Sequence, residues 1–473
     1  MLPPMAIEDL TRRTFVKAAV GGGIALGGPL SALAAQAAEG KVRRSVGYGP
    51  LRPTPEEGSG VVYLDLPRGF RYRVISRDNE IMSDGNPTPG IFDGTGAYPG
   101  PHGTTVLIRN HENRSRPNEV PVVVPAGKRY DNDPNVRGGN TKLVVDNRSR
   151  RVLESFAVLA GTHTNCAGGV TPWNSWITCE EIFNYGSVEN NVVPGSGVPH
   201  GYCFEVPADA RGPVQAVPIV AAGRFSHEAV AWLGGILYET EDRGDAAFYR
   251  FIPDRRVREY GDLASSGGTL QGLRVPDRPN YDMDLASPGD RFSVDWVTIE
   301  EPNPTVESGG QSTRSQAQAQ GAAIFTRTEG IWVSGNRLYF DCTTGGEAAS
   351  GQLWEYRPRG RNGGDLELIF ESPGATVLDA PDNLVIVPGT GDVWLQEDGG
   401  ADQYIRGVTR RGDIYDFAHT VLNDTEFCGG DFSPDGRTFY VSQQGERVAG
   451  APSPETQALT YAIWGPFDRD DDD

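Results

Sequence analysis

Apolar and polar positions alternate along most of this chain, in short runs broken by Gly, Pro, Asn or Asp. Period-two alternation over about four to eight residues, bounded by turn residues, predicts strands and hairpins. One pattern recurs. Residues 176–181 read WITCEE, an alternating apolar strand that ends in acid, and related strings stand at 237–242 (LYETED), 338–342 (LYFDC), 393–398 (VWLQED) and, more loosely, 438–442 (TFYVS). Each is followed by a loop bearing Gly or Asp and then by a second, aromatic strand: 202–206 (YCFEV), 248–251 (FYRF), 353–356 (LWEY), 414–417 (IYDF) and 461–464 (YAIW). Hairpins repeated at intervals of tens of residues fit sheets set radially around an axis. The pattern therefore predicts an all-β fold, a single β-propeller of about six blades, with an early blade near residues 61–76. Two packed β-sandwich domains are the alternative. No long helix is expected after the N-terminal region, and residues 303–320, rich in Ser, Gln and Gly, read as a surface insertion.

Composition narrows this picture. The chain has 473 residues with 61 Gly and 35 Pro, and its 38% hydrophobic content is enough for a large core. A net charge of −20 argues against nucleic acid or an anionic membrane as the main partner. The acids serve either as an ordinary solvated surface or as holders of cations. At the N-terminus, residues 11–17 (TRRTFVK) form a twin-arginine export box. A soft apolar stretch of about 16 residues follows, too short for a membrane span. Small residues at Ala32, Ala34, Ala35 and Ala37 offer cleavage sites. These features predict a signal peptide over 1–38, a propeller over 39–467 and an acidic disordered tail over 468–473. They also predict a mature protein that is periplasmic or secreted, exported already folded and with any cofactor loaded. The five cysteines, Cys166, Cys179, Cys203, Cys342 and Cys428, are odd in number, so at least one thiol is unpaired.

A short polar motif lies upstream of most of the hairpin strands. The series is Asn110-His111-Glu112, Asn165-Cys166, Ser226-His227-Glu228, Arg327-Thr328-Glu329, Asp379-Ala380-Pro381-Asp382-Asn383 and Asp431. In a propeller such positions converge on the central channel. Carboxylates gathered there raise one another's pKa and stay ionised only with cations among them. Carboxylate and carbonyl oxygen suit Ca²⁺, whereas one thiolate among them points to a transition metal, iron above all. Cys166 is thus the candidate metal thiolate. A Cys-rich zinc site is disfavoured because no CxxC pair exists. His111 and His227 stand either as ligands or as satisfied strand histidines. Trp173, Trp176, Tyr238, Trp354, Trp394 and Cys179 read as core. No nucleophile elbow, phosphate loop or dinucleotide fingerprint is present.

These strings resemble the PhoX-type alkaline phosphatases, exported bacterial β-propeller enzymes. The resemblance rests on Asn110-His111-Glu112-Asn113, Asn165-Cys166-Ala167-Gly168-Gly169, Thr171-Pro172-Trp173, Thr178-Cys179-Glu180-Glu181, His227-Glu228-Ala229, Glu241-Asp242, Arg327-Thr328-Glu329-Gly330 and Pro381-Asp382-Asn383-Leu384. It extends over about residues 47–467. It implies a phosphoric ester hydrolase that uses Ca²⁺ together with Fe³⁺ in the propeller channel. Residue by residue, Cys166 resembles the iron thiolate, and Glu228 and Glu329 resemble carboxylates at the iron–calcium cluster. Glu112, Glu181 and Asp242 resemble calcium-side ligands, with Asp382 a further ligand. Arg327 resembles the cation that meets phosphate, and Asn110 is expected beside it as a catalytic residue. Small-molecule phosphate esters and the twin-arginine machinery are the implied partners of a monomeric chain without a membrane span. A calcium-dependent lactonase or esterase propeller, which needs no thiolate, is one alternative. A non-catalytic propeller stabilised by calcium is the other.

Overall fold

The structure is a computed structural model that describes residues 46–116, 118–187, 195–307, 310–400, 402–446 and 453–468. The export signal expected over 1–38 and the tail from residue 469 onward lie outside the described residues. Gly47–Asp473 forms one compact unit.

Alternation in the sequence becomes strands almost throughout. In chain order, β1 (Leu51–Thr54), β2 (Leu64–Pro67) and β3 (Arg71–Arg77) precede a meander of β4 (Phe92–Pro99), β5 (Thr104–His111), β6 (Gly138–Asp146) and β7 (Val152–Thr162). Next come β8 (Asn165–Val170), β9 (Ser175–Glu180) and β10 (Cys203–Pro207), then β11 (His227–Leu233), β12 (Ile236–Glu241), β13 (Tyr249–Pro253), β14 (Gly268–Arg274) and β15 (Arg291–Thr298). The chain continues through β16 (Thr328–Ser334), β17 (Arg337–Cys342), β18 (Gln352–Arg359) and β19 (Gly363–Glu371). It closes with β20 (Pro381–Ile386), β21 (Val393–Glu397), β22 (Tyr404–Val408), β23 (Ile414–Thr420), β24 (Phe427–Phe432), β25 (Phe439–Gln443) and β26 (Leu459–Trp464).

Among the described residues the paired strands are antiparallel neighbours, and the first strand of each meander packs against the first strand of the next. The cycle β4, β8, β11, β16, β20, β24 and back to β4 is closed. This is a propeller-like arrangement, in which the first strands of successive meanders form a closed ring among the described residues.

Two expectations need correction. Residues 61–76 form no blade of their own: β2 pairs with β23 and β3 pairs with β26, so the start of the chain completes sheets built at its end. Two chain segments distant in sequence thereby seal the ring, a pairing that local alternation cannot reveal. The insertion at 303–320 is not purely superficial. It contains the helix α1 (Thr313–Gln318), capped by the Ser312 side chain, with Thr313 and Ala317 buried. Arg314 of this helix donates to buried Glu241 at 3.1 Å and so neutralises a strand-end acid.

The core lies between sheets. Trp176, Trp354, Trp394 and Tyr238 are all buried, as their alternation predicts. Phe248 of the third meander stacks on Phe340 of the fourth with centroids 4.5 Å apart. Each buried aromatic contributes roughly 2–3 kcal/mol of apolar burial, which fixes the sheets rigidly around the axis.

Candidate metal centre

The site is one local device repeated around the ring. Five inner strands present their second residue at a β-bulge: Asp93 in β4, Cys166 in β8, Glu228 in β11, Glu329 in β16 and Asp382 in β20; in β24 the second residue, Cys428, pairs with Ser442 and the bulge follows it. A bulge re-aims a side chain and interrupts the ladder, which suits a position that must face an axis. The first residue of each inner strand pairs with the last of its neighbour, for example Phe92 with His111 and His227 with Glu241. The residue just past that neighbour then donates its N–H back across the hairpin. These bonds are Glu112 to Ile91 (2.9 Å), Glu181 to Thr164 (3.0 Å), Asp242 to Ser226 (3.2 Å), Thr343 to Arg327 (2.9 Å), Asp398 to Ala380 (2.8 Å) and Gln444 to Glu426 (3.1 Å). A second tier of polar side chains is thereby set at equivalent positions. Four of the accepting residues have left-handed backbones, Ile91 (φ 52°), Thr164 (50°), Arg327 (52°) and Ala380 (49°). Each costs on the order of 1–3 kcal/mol in a non-glycine residue, a strain that concentrates at functional sites.

The two tiers form an acidic cluster, buried in the inner tier and partly open to solvent in the outer one. Oxygens of the buried Glu228, Glu329 and Asp382 lie within 4.8 Å of one another, and Asp382 forms an overlapping group with the exposed Asp398 and the part-buried Glu426. Burial, reinforced by repulsion from Asp382, pushes the carboxyls of Asp93, Glu228 and Glu329 well above their usual range. Burial and Asp398 do the same to Glu426. Burial, with Asp242 and Glu112 adding repulsion and Arg114 opposing it, raises Glu181 to about 8. Asp93 Oδ1 is buried and, among the described residues, accepts no hydrogen bond. Several acids facing one another with an unsatisfied oxygen form a donor set that fits cations.

Cys166 is 3% exposed, and its thiol lies 3.3 Å from the His227 carbonyl and 3.4 Å from that of Glu228. Burial and the charges of Glu228, Glu181 and Asp93 hold this thiol well above its usual pKa. Its sulfur thus lies from β8 against the backbone of β11 at the residue that carries the Glu228 carboxyl. Cys428 occupies the equivalent place in β24, with its thiol 2.9 Å from the Phe92 carbonyl.

Three arginines edge the acids, each roughly a third exposed: Arg114, Arg243 and Arg327. Arg114 pairs with Glu112 and lies 3.5 Å from Glu181. Arg327 donates through Nε to Asp242 at 2.7 Å and through Nη2 meets Glu329 at 2.6 Å. Among the described residues its Nη1 makes no hydrogen bond, which leaves those N–H groups for a ligand.

Of the sequence-derived residues, Cys166, Glu228, Glu329 and Asp382 fall in the inner tier and Glu112, Glu181 and Asp242 in the outer one. Asn110 does not join them. It stands near the end of β5, and its Nδ2 donates to the carbonyls of Cys166 (2.6 Å) and Ala167 (2.8 Å). Its Oδ1 accepts from Trp176 (2.8 Å), Thr178 (3.0 Å) and Asn140. With its amide engaged inside the protein, Asn110 holds the Cys166 segment in place and is a positioning residue. Asp431 likewise ties β24 to β4 by accepting from Ala97 N at 2.7 Å. His111 bonds Gly90 and Thr141, and burial keeps it well below its usual pKa, so it serves as a neutral strand residue.

Asp93, Asp398, Glu426 and Gln444 were not singled out from sequence. Gln444 bridges Glu112 (2.8 Å) and Glu426 (2.6 Å). Their signal was available only through the repeat: Glu397-Asp398 echoes Glu180-Glu181 and Glu241-Asp242.

The family model for alkaline phosphatase PhoX matches residues 46–445. Among solved structures, Pseudomonas fluorescens PhoX in complex with vanadate, a transition-state analogue, aligns with a TM-score of 0.64 at 16% identity, covering 88% of this chain and 97% of that one. The Pseudomonas aeruginosa periplasmic gluconolactonase aligns with a TM-score of 0.35 at 15% identity, over 86% of this chain and 95% of that one. The WD40 propeller domain of Doa1 aligns with a TM-score of 0.37 at 7% identity, over 82% and 96%. The last two likenesses are too slight to carry further meaning. No curated protein matches the sequence. From the family match, this chain belongs to the alkaline phosphatase PhoX family.

Proposed function

We propose that the chain is an exported, metal-dependent phosphatase that hydrolyses phosphate esters at the ring of acids on the propeller axis. The observation that carries this reading is the convergence of Glu228, Glu329 and Asp382, whose oxygens approach within 4.8 Å in a buried place. The wider donor set mixes hard carboxylates with the Cys166 thiol, which suits Ca²⁺ alongside Fe³⁺. Glu228, Glu329, Asp382 and Cys166 would hold the iron side and Glu112, Glu181 and Asp242 the calcium side. Bound cations supply Lewis acidity toward phosphoryl oxygens and acidify water.

The chain's own residues do the rest. The buried carboxylates fix the cations at one level and keep bulk water out. Arg327, raised in pKa by Glu329 and Asp242 against the effect of burial, stays cationic and offers Nη1 to a phosphate oxygen. The partly exposed Arg114 and Arg243 offset the acidic approach and favour an anionic substrate. Asn110 positions the Cys166 segment. The twin-arginine box over residues 11–17 agrees with delivery to the periplasm or beyond after the cations are loaded.

The test is hydrolysis of a generic aryl phosphate by the full chain carrying its native cations, before and after complete chelation. Turnover that disappears on chelation and returns with calcium and iron is expected. Undiminished turnover by the stripped protein, or none by the loaded one, would overturn the reading.

A further inference from the structure

A second group of metal-ligating side chains lies apart from the acidic ring, in the apolar core shared by the second and third meanders. Cys203 of β10, His227 of β11 and Glu239 of β12 present ligand atoms within 4.8 Å of one another, and all are fully buried. Cys203 Sγ stands 3.4 Å from His227 Nδ1, which stands 3.4 Å from Glu239 Oε2. Cys179 Sγ lies 3.6 Å from Cys203 Sγ, on the directly opposed residue of β9. For ligands about 2.0–2.3 Å from a tetrahedral ion, the spacings between ligand atoms are about 3.3–3.8 Å. The observed separations fall in that range.

Two independent features point to an ion here. Among the described residues neither oxygen of Glu239 accepts a hydrogen bond, although the side chain is completely enclosed. Equally buried glutamates nearby are satisfied: Glu180 accepts from His200, His163 N and Gly201 N, and Glu241 accepts from Tyr249 and Arg314. The His227 ring is also prepared as a ligand. Its Nε2 lies 3.2 Å from the Gly223 carbonyl, and its face stacks on Phe225 with centroids 3.6 Å apart. Donation from Nε2 to a carbonyl leaves the Nδ1 lone pair directed at Cys203 and Glu239, the arrangement usual for metal-bound histidines. His227 and Glu228 are successive residues at the β11 bulge and enter different groups, His227 with Cys203 and Glu239 and Glu228 with Glu329 and Asp382. One strand thereby serves the acidic ring with Glu228 and this second group with His227.

We propose that Cys203, His227 and Glu239 form a structural site for a divalent transition-metal ion of the zinc type, with the Cys179 sulfur beside it. Thiolate, imidazole and carboxylate together favour such an ion over calcium. The site would lock β9, β10, β11 and β12 together directly behind Cys166 and Glu228. It is separate from the phosphatase reading, because it shares no residue with the groups of the acidic ring.

Zinc content is measured by elemental analysis of the folded full chain equilibrated with Zn²⁺ alone and then freed of loose metal. Cys203→Ser and Glu239→Gln should each bind about one zinc ion fewer than the parent, while Cys166→Ser keeps that ion. Equal zinc in the parent and in both Cys203→Ser and Glu239→Gln would overturn the proposal. So would a Cys179–Cys203 disulfide in the parent, read by mass before and after reduction. Should the variants fail to fold, crystals of the unaltered protein soaked in Zn²⁺ decide the matter. An anomalous peak at the zinc edge between Cys203, His227 and Glu239 supports the site, and no peak there refutes it. Either result stands whether or not the chain hydrolyses phosphate.

Discussion

Removing the cations should make the folded chain progressively less stable as pH rises. The cause is visible in the acidic ring. Without cations the Glu181 carboxyl titrates at about 8 instead of its ordinary 4.5. Between those values the folded chain keeps a proton that the unfolded chain has released, so stability falls with increasing pH. At about 1.4 kcal/mol per pH unit, Glu181 alone accounts for a loss of about 4 kcal/mol between about pH 5 and pH 8. Asp93, Glu228, Glu329 and Glu426, all raised, act in the same direction. His200, raised to about 9 by Glu180 and Asp131 against the effect of burial, also contributes stability that is present below its ordinary 6.5 and lost as pH passes 9. Its effect is common to loaded and stripped protein and cancels in their difference. Urea unfolding followed by tryptophan fluorescence, at several pH values with and without cations, measures that difference. The gap between loaded and stripped protein should widen by at least about 4 kcal/mol from about pH 5 to pH 8. A constant or shrinking gap would mean that the acids are ionised without cations, and the reasoning would fail.

Three further outcomes follow from the geometry. Arg327→Ala should lower kcat/KM for an aryl phosphate by about 10²–10³-fold with little change in unfolding midpoint. Arg327→Lys should not restore it, since an ammonium lacks the fork that spans Asp242 and Glu329. Asn110→Ala strands the carbonyls of Cys166 and Ala167 and the Trp176 indole N–H, and should cost about 3–5 kcal/mol in urea unfolding. Gly94→Ala would place a methyl 2.7 Å from Ala167 Cα and 2.8 Å from the Cys166 carbonyl, forcing β4 away from β8. It should destabilise by more than about 2 kcal/mol, whereas Gly127→Ala, where a methyl meets nothing within 4 Å, should stay within about 0.5 kcal/mol by the same assay.

The propeller and half of its site were legible because they rest on local, repeated signals. Alternation followed by paired acid marks Glu181 and Asp242, and a polar motif just before an apolar strand marks Cys166, Glu228, Glu329 and Asp382. What stayed hidden depends on register or on distance. Asn110-His111-Glu112 looks like Ser226-His227-Glu228, yet it ends a second strand where the other begins a first one. Its true counterpart, Asp93, opens the Gly-rich strand FDGTGAYP, which lacks the apolar alternation that would announce it. The closure by β2 and β3 pairs residues at opposite ends of the chain and leaves no local trace. Cys203, His227 and Glu239 likewise come together only when adjacent strands are set in register.

The most direct test of the account is the calcium and iron content of the exported, folded full chain, measured beside Cys166→Ser and Glu329→Gln. Both metals should be present in the parent, with iron lost from Cys166→Ser and from Glu329→Gln. A parent that binds neither metal, or a Cys166→Ser protein with its full complement of iron, would contradict the claim that this acidic ring is a mixed cation centre.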